Sequence, residues 1–236
     1  MKIHSLVLLL SLFGAPVLPL SAQPVWLNGP ANPVTNTVTF PPGWALIANP
    51  LFHYRGVIVA NAAPDNSVSA LFPRMPNGTV LLKFDNVTQR FSRKNVFRRG
   101  RWSNPRATLA PGEGAFLFNP TRRSVAVTFT GNLQWGASVS VPAGLSLISS
   151  PGPGTIDFTP VVPPQSPTGP FAGAGIRFDP QPGDVVYIFD NATGRFQSHT
   201  FRNGAWDMLP VVGSGEAAFI YTTQPRVIQY VGPMPL

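Results

Sequence analysis

Short runs of alternating apolar and polar residues, cut apart by proline and glycine, fill most of the chain. In Val80–Phe84, Val80, Leu82 and Phe84 fall on one face, and Val185, Tyr187 and Phe189 take the same slots later on. Val125, Val127 and Phe129 alternate with Ala126, Thr128 and Thr130, the period of two that marks a half-buried strand. With 22 glycines and 28 prolines, the chain beyond its N-terminus offers no long stretch of helical apolar spacing. The pattern predicts an all-β protein built from short strands. Asp85-Asn86-Val87-Thr88 and Asp190-Asn191-Ala192-Thr193 sit between strand-like runs and read as hairpin turns, because Asp and Asn bond their own backbone there. Arg99-Gly100 and Asn203-Gly204 mark a second hairpin turn. Residues 51–78 and 152–183 read as long surface loops, the latter rich in proline.

These elements recur. Gly43-Trp44-Ala45-Leu46-Ile47 returns as Gly144-Leu145-Ser146-Leu147-Ile148, and Asp85-Asn86 returns as Asp190-Asn191. Trp102 returns as Trp206, and Gly112-Glu113-Gly114-Ala115-Phe116 as Gly215-Glu216-Ala217-Ala218-Phe219. The separations at these four landmarks are 101, 105, 104 and 103 residues. The expected organisation is two tandem homologous β domains, barrel-like or sandwich-like, each of about 100 residues, a common domain size. Residues 38–136 form the first repeat, 137–236 the second, and 23–37 an N-terminal arm, either a leader strand or flexible.

Met1 to Ala22 reads as a signal peptide, with Lys2 before an apolar core and a small residue at Ala22. The expected location is therefore secreted or cell-envelope, with no transmembrane segment once that leader is removed. There is no cysteine, so stability must come from burial, and thiol nucleophiles and cysteine-held metals are excluded. Charge is unevenly shared. Residues 38–136 hold 12 Lys/Arg against Asp65, Asp85 and Glu113, whereas residues 137–236 hold four Arg against six acids. The positive excess belongs to one repeat and is not a demand of the common fold.

Candidate chemistry is sparse. His53 and His199 do not recur in the other repeat, and Ser198 and His199 point to opposite faces of a strand, so they make no nucleophile–base pair. Both histidines read as surface or strand-edge residues, and no spacing suits a metal or a cofactor. Glu113 and Glu216 recur, and paired carboxylates about 5–9 Å apart could run glycoside hydrolysis. Their glycine-rich settings favour tight corners in which each carboxylate satisfies backbone N–H groups. The triplets beginning at Asn77, Asn86 and Asn191 have the glycosylation pattern, but the last two belong to the turns.

The segment from Arg90 to Arg106 is the best candidate surface. Phe91, Phe97 and Trp102 have counterparts in Phe196, Phe201 and Trp206, so they read as core; of the basic residues only Arg90 has an evident match, Arg195. Arg93, Lys94, Arg98, Arg99 and Arg101 are then additions suited to an anionic polysaccharide or cell-envelope polymer, with nucleic acid a weaker fit.

Gly43, Leu46, Ile47, Pro50, Trp102, Pro111 to Gly114 and Phe116 together resemble a duplicated module of exported bacterial proteins of unassigned function. Leu145 in place of Trp44, and Gly213-Ser214-Gly215 before Glu216, depart from that pattern in the second repeat. The resemblance implies a secreted β module and carries over no active site. The expected function is a non-enzymatic structural, adhesion or binding role, with contact to anionic polymers through the basic face of the first repeat. The alternative is a secreted polysaccharide-acting hydrolase using Glu113 and Glu216.

Overall fold

The computed structural model describes residues 34–54, 63–132, 138–150, 155–158 and 175–231. The expected signal peptide, most of the expected N-terminal arm and much of the expected loop 152–183 lie outside the described residues. The first half contains β1 (Val34–Phe40), β2 (Gly43–Ala48), a one-turn helix α1 (Val68–Leu71), β3 (Val80–Asp85), β4 (Arg90–Phe91), β5 (Asn95–Arg98), β6 (Arg101–Trp102), β7 (Gly114–Asn119) and β8 (Val125–Gly131). The second contains β9 (Ser138–Val141), β10 (Gly144–Ser149), β11 (Ile156–Asp157), β12 (Gly175–Arg177), β13 (Val185–Asp190), β14 (Arg195–Arg202), β15 (Ala205–Trp206), β16 (Val211–Val212), β17 (Ala217–Thr222) and β18 (Arg226–Val231). The protein is all-β.

The two principal sheets have the same strand order. One runs β2-β7-β3-β5-β6, with β4 also on β3, and the other β10-β17-β13-β14-β15. In each half a further antiparallel pair lies outside the principal sheet, β1 with β8 and β9 with β18. Along β14 a single register holds from Asp190↔Arg195 to Val185↔Thr200. In the first half, Phe84↔Phe91 is followed by Leu81↔Asn95, so Leu82 and Lys83 face the three residues Ser92, Arg93 and Lys94. That extra residue is a bulge, which splits one strand into β4 and β5 and bends the chain outward. Ser92 fastens it, donating its N–H to Lys83 O (2.8 Å) and accepting the Lys83 N–H on its hydroxyl (3.1 Å).

Both faces of each principal sheet are covered, which explains runs such as Ala115-Phe116-Leu117-Phe118 that are apolar without a break. Ala45, Ile47, Ala115 and Leu117 enter the first core with Phe40, Phe72 and Phe129. Ile148, Val186, Ala218 and Ile220 enter a second with Phe158 and Phe178. The opposite faces meet in a third cluster of Leu46, Ala48, Leu147, Ala217 and Phe219, flanked by Phe84, Phe116, Tyr187 and Phe189. Phe116 lies 5.7 Å from Phe189 and 6.1 Å from Phe219, ring centre to ring centre, and Phe84 lies 5.3 Å from Phe219. Gly114 and Gly215 mark close approaches of the halves: a Cβ at Gly114 would collide with Ala217 and Leu147, and one at Gly215 with Val38.

Several expectations need correction. Phe91 and Phe196 are not core residues; they are 51% and 46% exposed, at the rim of the aromatic seam. β1 begins at Val34 and pairs with β8 along its full length, so residues 34–37 are strand, as the leader-strand alternative had it, and the first half starts before residue 38. The segment 51–78 carries α1, capped by the Ser67 hydroxyl, and therefore is not wholly irregular.

Candidate functional site

The basic residues occupy two adjoining devices, the hairpin β5–β6 and the bulge. In the hairpin Phe97 pairs with Trp102 and Arg98 with Arg101, leaving Arg99 and Gly100 as a two-residue turn. Both turn residues have positive φ, +51° and +76°, the geometry whose twist matches that of the flanking strands. Phe97 and Trp102 point inward, their rings 5.4 Å apart, and the indole N–H donates to Phe72 O at 2.9 Å. The Asn77 side chain holds the turn from outside by accepting the Arg99 N–H (2.9 Å). Arg98, Arg99 and Arg101 are left exposed, as are Arg93 and Lys94 on the bulge. None of the five is ion-paired to a described residue. Arg93 and Lys94 border a cleft of about 320 Å³ that also holds Lys83, Asn95, Ser103 and Asn104.

The second half carries the same frame with less charge. The ring pair Phe201–Trp206 stands at 5.2 Å, and the Trp206 indole donates to Phe158 O (2.8 Å), as Trp102 does to Phe72 O. Its turn is Asn203-Gly204, with φ of +52° and +79°. Ala205 stands opposite Arg202, where Arg101 stands opposite Arg98. Arg202 therefore matches Arg98, a correspondence that the sequence reading missed. Of the five, Arg93, Lys94, Arg99 and Arg101 have no basic counterpart in the second half.

The alternative residues are engaged elsewhere. Glu113 accepts the Ala110 N–H (2.7 Å) and pairs with Lys83 Nζ (2.8 Å), and Glu216 accepts the Gly213 N–H (3.0 Å). These are corner carboxylates, and neither lines the cleft at Arg93 and Lys94. His199 is buried, 4% exposed, which corrects the surface alternative expected for it. Its Nδ1 lies 3.1 Å from Met208 O, and its counterpart Asn95 holds Asn104 O in the same manner (2.7 Å). His53 Nδ1 lies 2.9 Å from Thr130 O. Among the described residues no three His, Asp or Glu gather to hold a metal ion, and no helix is long and apolar enough to cross a membrane.

A second site was missed by sequence reasoning. Between the halves lies a groove of about 520 Å³ lined by Pro42, Trp44, Phe91, Phe116, Phe189 and the turn Asn191 to Gly194. Trp44 is 38% exposed there, packed edge-on to Phe116 (6.1 Å). Two turns reach across the seam to either side. Asn86 accepts the Leu147 N–H (2.8 Å) and donates to Leu147 O (3.3 Å), while Asn191 accepts the Leu46 N–H (2.9 Å). Three residues further along each turn, the match breaks. Gln89 accepts the Leu145 N–H (2.9 Å) and donates to Leu145 O (2.6 Å); its counterpart is Gly194, which has no side chain to offer Trp44. The one available signal was the pairing of Gln89 with Gly194 and of Leu145 with Trp44 in the aligned repeats.

Compared with protein-family models, curated proteins and solved structures, the chain finds no match.

Proposed function

We propose that the chain is a doubled β unit of an exported or envelope-associated protein, non-enzymatic, that contacts acidic polymers through the basic face of its first half. The supporting observation is the placement of Arg93, Lys94, Arg98, Arg99 and Arg101. A bulge absent from the second half and a hairpin anchored by buried Phe97 and Trp102 hold all five exposed, without ion pairs to described residues. Guanidinium groups suit sulfate and carboxylate oxygens, and exposed cations of one sign attract a polyanion over roughly a Debye length of about 8–10 Å.

The test is chromatography on heparin and on polygalacturonate. The protein should be retained at low salt and elute steeply as salt rises, since contact releases condensed counterions. The triple change Arg98→Ser, Arg99→Ser and Arg101→Ser should abolish most retention and leave the thermal midpoint within about 2 °C, a range usual for surface substitutions. Retention indifferent to salt, or a large fall in midpoint together with the lost retention, would place these residues in a different role.

A further inference from the structure

The groove at Trp44 has an internal guide to its ligand. Alternate residues of edge strand β10 turn their N–H and C=O toward the first half, and Leu145 is one of them, held there by the Gln89 carboxamide. β2 is the equivalent edge. Leu46 and Ala48 send their N–H groups across to Asn191 Oδ1 (2.9 Å) and Gly215 O (2.8 Å). By the same alternation Trp44 presents its N–H and C=O in that direction. No partner for either group is found among the described residues. Gly194 leaves open the space that the Gln89 side chain fills on the other side, and a Cβ there would meet nothing within 4 Å.

We propose that this groove binds an acetamido-bearing sugar, an N-acetylated hexosamine unit of a glycan. Its amide takes the place at Trp44 that the Gln89 carboxamide takes at Leu145, and its ring lies against Trp44 and Phe91. A site that presents one N–H/C=O pair beside aromatic surface selects a single amide on a compact, partly apolar body. An extended peptide fits less well, because strand addition needs several consecutive edge groups. The next two on β2 are already occupied by Asn191 and Gly215, and Pro42 on the near side has no N–H. A cavity of about 520 Å³ accommodates a sugar unit or two. This site is separate from the basic face, and each stands or falls without the other.

The experiment titrates the full chain with the trimer of N-acetylglucosamine, following the Trp44 indole N–H resonance, assigned by its loss in Trp44→Leu. Glucose trimer and acetyl-alanine N-methylamide serve as comparison probes. The acetylated trimer should shift the resonance saturably and bind at least about tenfold more tightly than the glucose trimer, the selectivity expected of one satisfied buried amide. Gly194→Gln rebuilds the Gln89 arrangement at a left-handed position, φ +68°, close to the +56° that Gln89 itself adopts. It should weaken calorimetrically measured binding at least about tenfold and lower the thermal midpoint by no more than about 4 °C. Trp44→Leu, the residue already present at position 145, should weaken binding comparably and leaves the 191–194 turn untouched. Equal affinity for glucose trimer, tighter binding of the blocked alanine, undiminished binding by both variants, or no saturable shift up to about 10 mM would each overturn the proposal.

Discussion

Arg99 shows how the binding surface and the backbone pull against one another. It holds φ at +51°, where its counterpart Asn203 holds +52°. A left-handed conformation costs most side chains roughly 1 kcal/mol, and asparagine, which bonds locally, much less. Arg99→Asn should therefore raise stability by about 0.5–1 kcal/mol in denaturant melts while lowering the salt needed to elute the protein from heparin. A fall in both would mean that the arginine side chain supports the fold. Asp85 and Asp190 act through charge instead. The Thr88 N–H, and then the Val87 N–H, hold the Asp85 carboxyl below its ordinary range; for Asp190 the Thr193 hydroxyl leads, followed by the Ala192 and Thr193 N–H groups. A lowered folded pKa means that the contribution is complete above the unfolded value of about 3.9 and disappears as pH falls through the lower folded value. Acid unfolding curves should show that loss below about pH 4, and replacing both residues by Asn, which preserves the turn acceptors, should flatten it. These two aspartates were legible as turn residues, since their chemistry is local. The burial of His199 was not, because it depends on the loop after β15 that carries Met208.

Strands, hairpins and turns were the most legible part of the chain. Period-two alternation located β3, β8 and β13, and the Asn203-Gly204 turn placed β14 and β15. The bulge was written in the spacing, which drops from 105 residues at Asp85 and Asp190 to 104 at Trp102 and Trp206, the single residue taken up at Ser92–Lys94. What the turns do for each other could not be read, since a turn's sequence explains its own backbone but not its reach. Asn86 makes two hydrogen bonds to Leu147, and Asn191 makes one to Leu46. Asn86→Ala should cost about 1–3 kcal/mol by leaving edge groups at the seam unpaired, and Asn191→Ala a smaller amount. Chemical denaturation of the two variants checks the order, and a larger loss for Asn191→Ala would refute this account of the clamps.

Across the protein, the recurrence in sequence predicted two like units but was silent on how they meet. The uninterrupted apolar runs of β2, β7 and β17 carried the answer in principle, because a strand apolar on both faces must be covered on both. In the structure the second covering is the other half. Leu46, Phe84 and Phe116 face Leu147, Phe189 and Phe219, Gly114 permits the approach, and the Asn86 and Asn191 side chains close the edges. An aromatic seam of this kind should make unfolding of either half expose the apolar face of its neighbour, so that the two lose structure together. Differential scanning calorimetry of the full chain tests this coupling most directly. One transition, with calorimetric and van't Hoff enthalpies in a ratio near about one, is the expected result. Two resolved transitions, or a ratio near about two, would show the halves unfolding as separate bodies and contradict the seam.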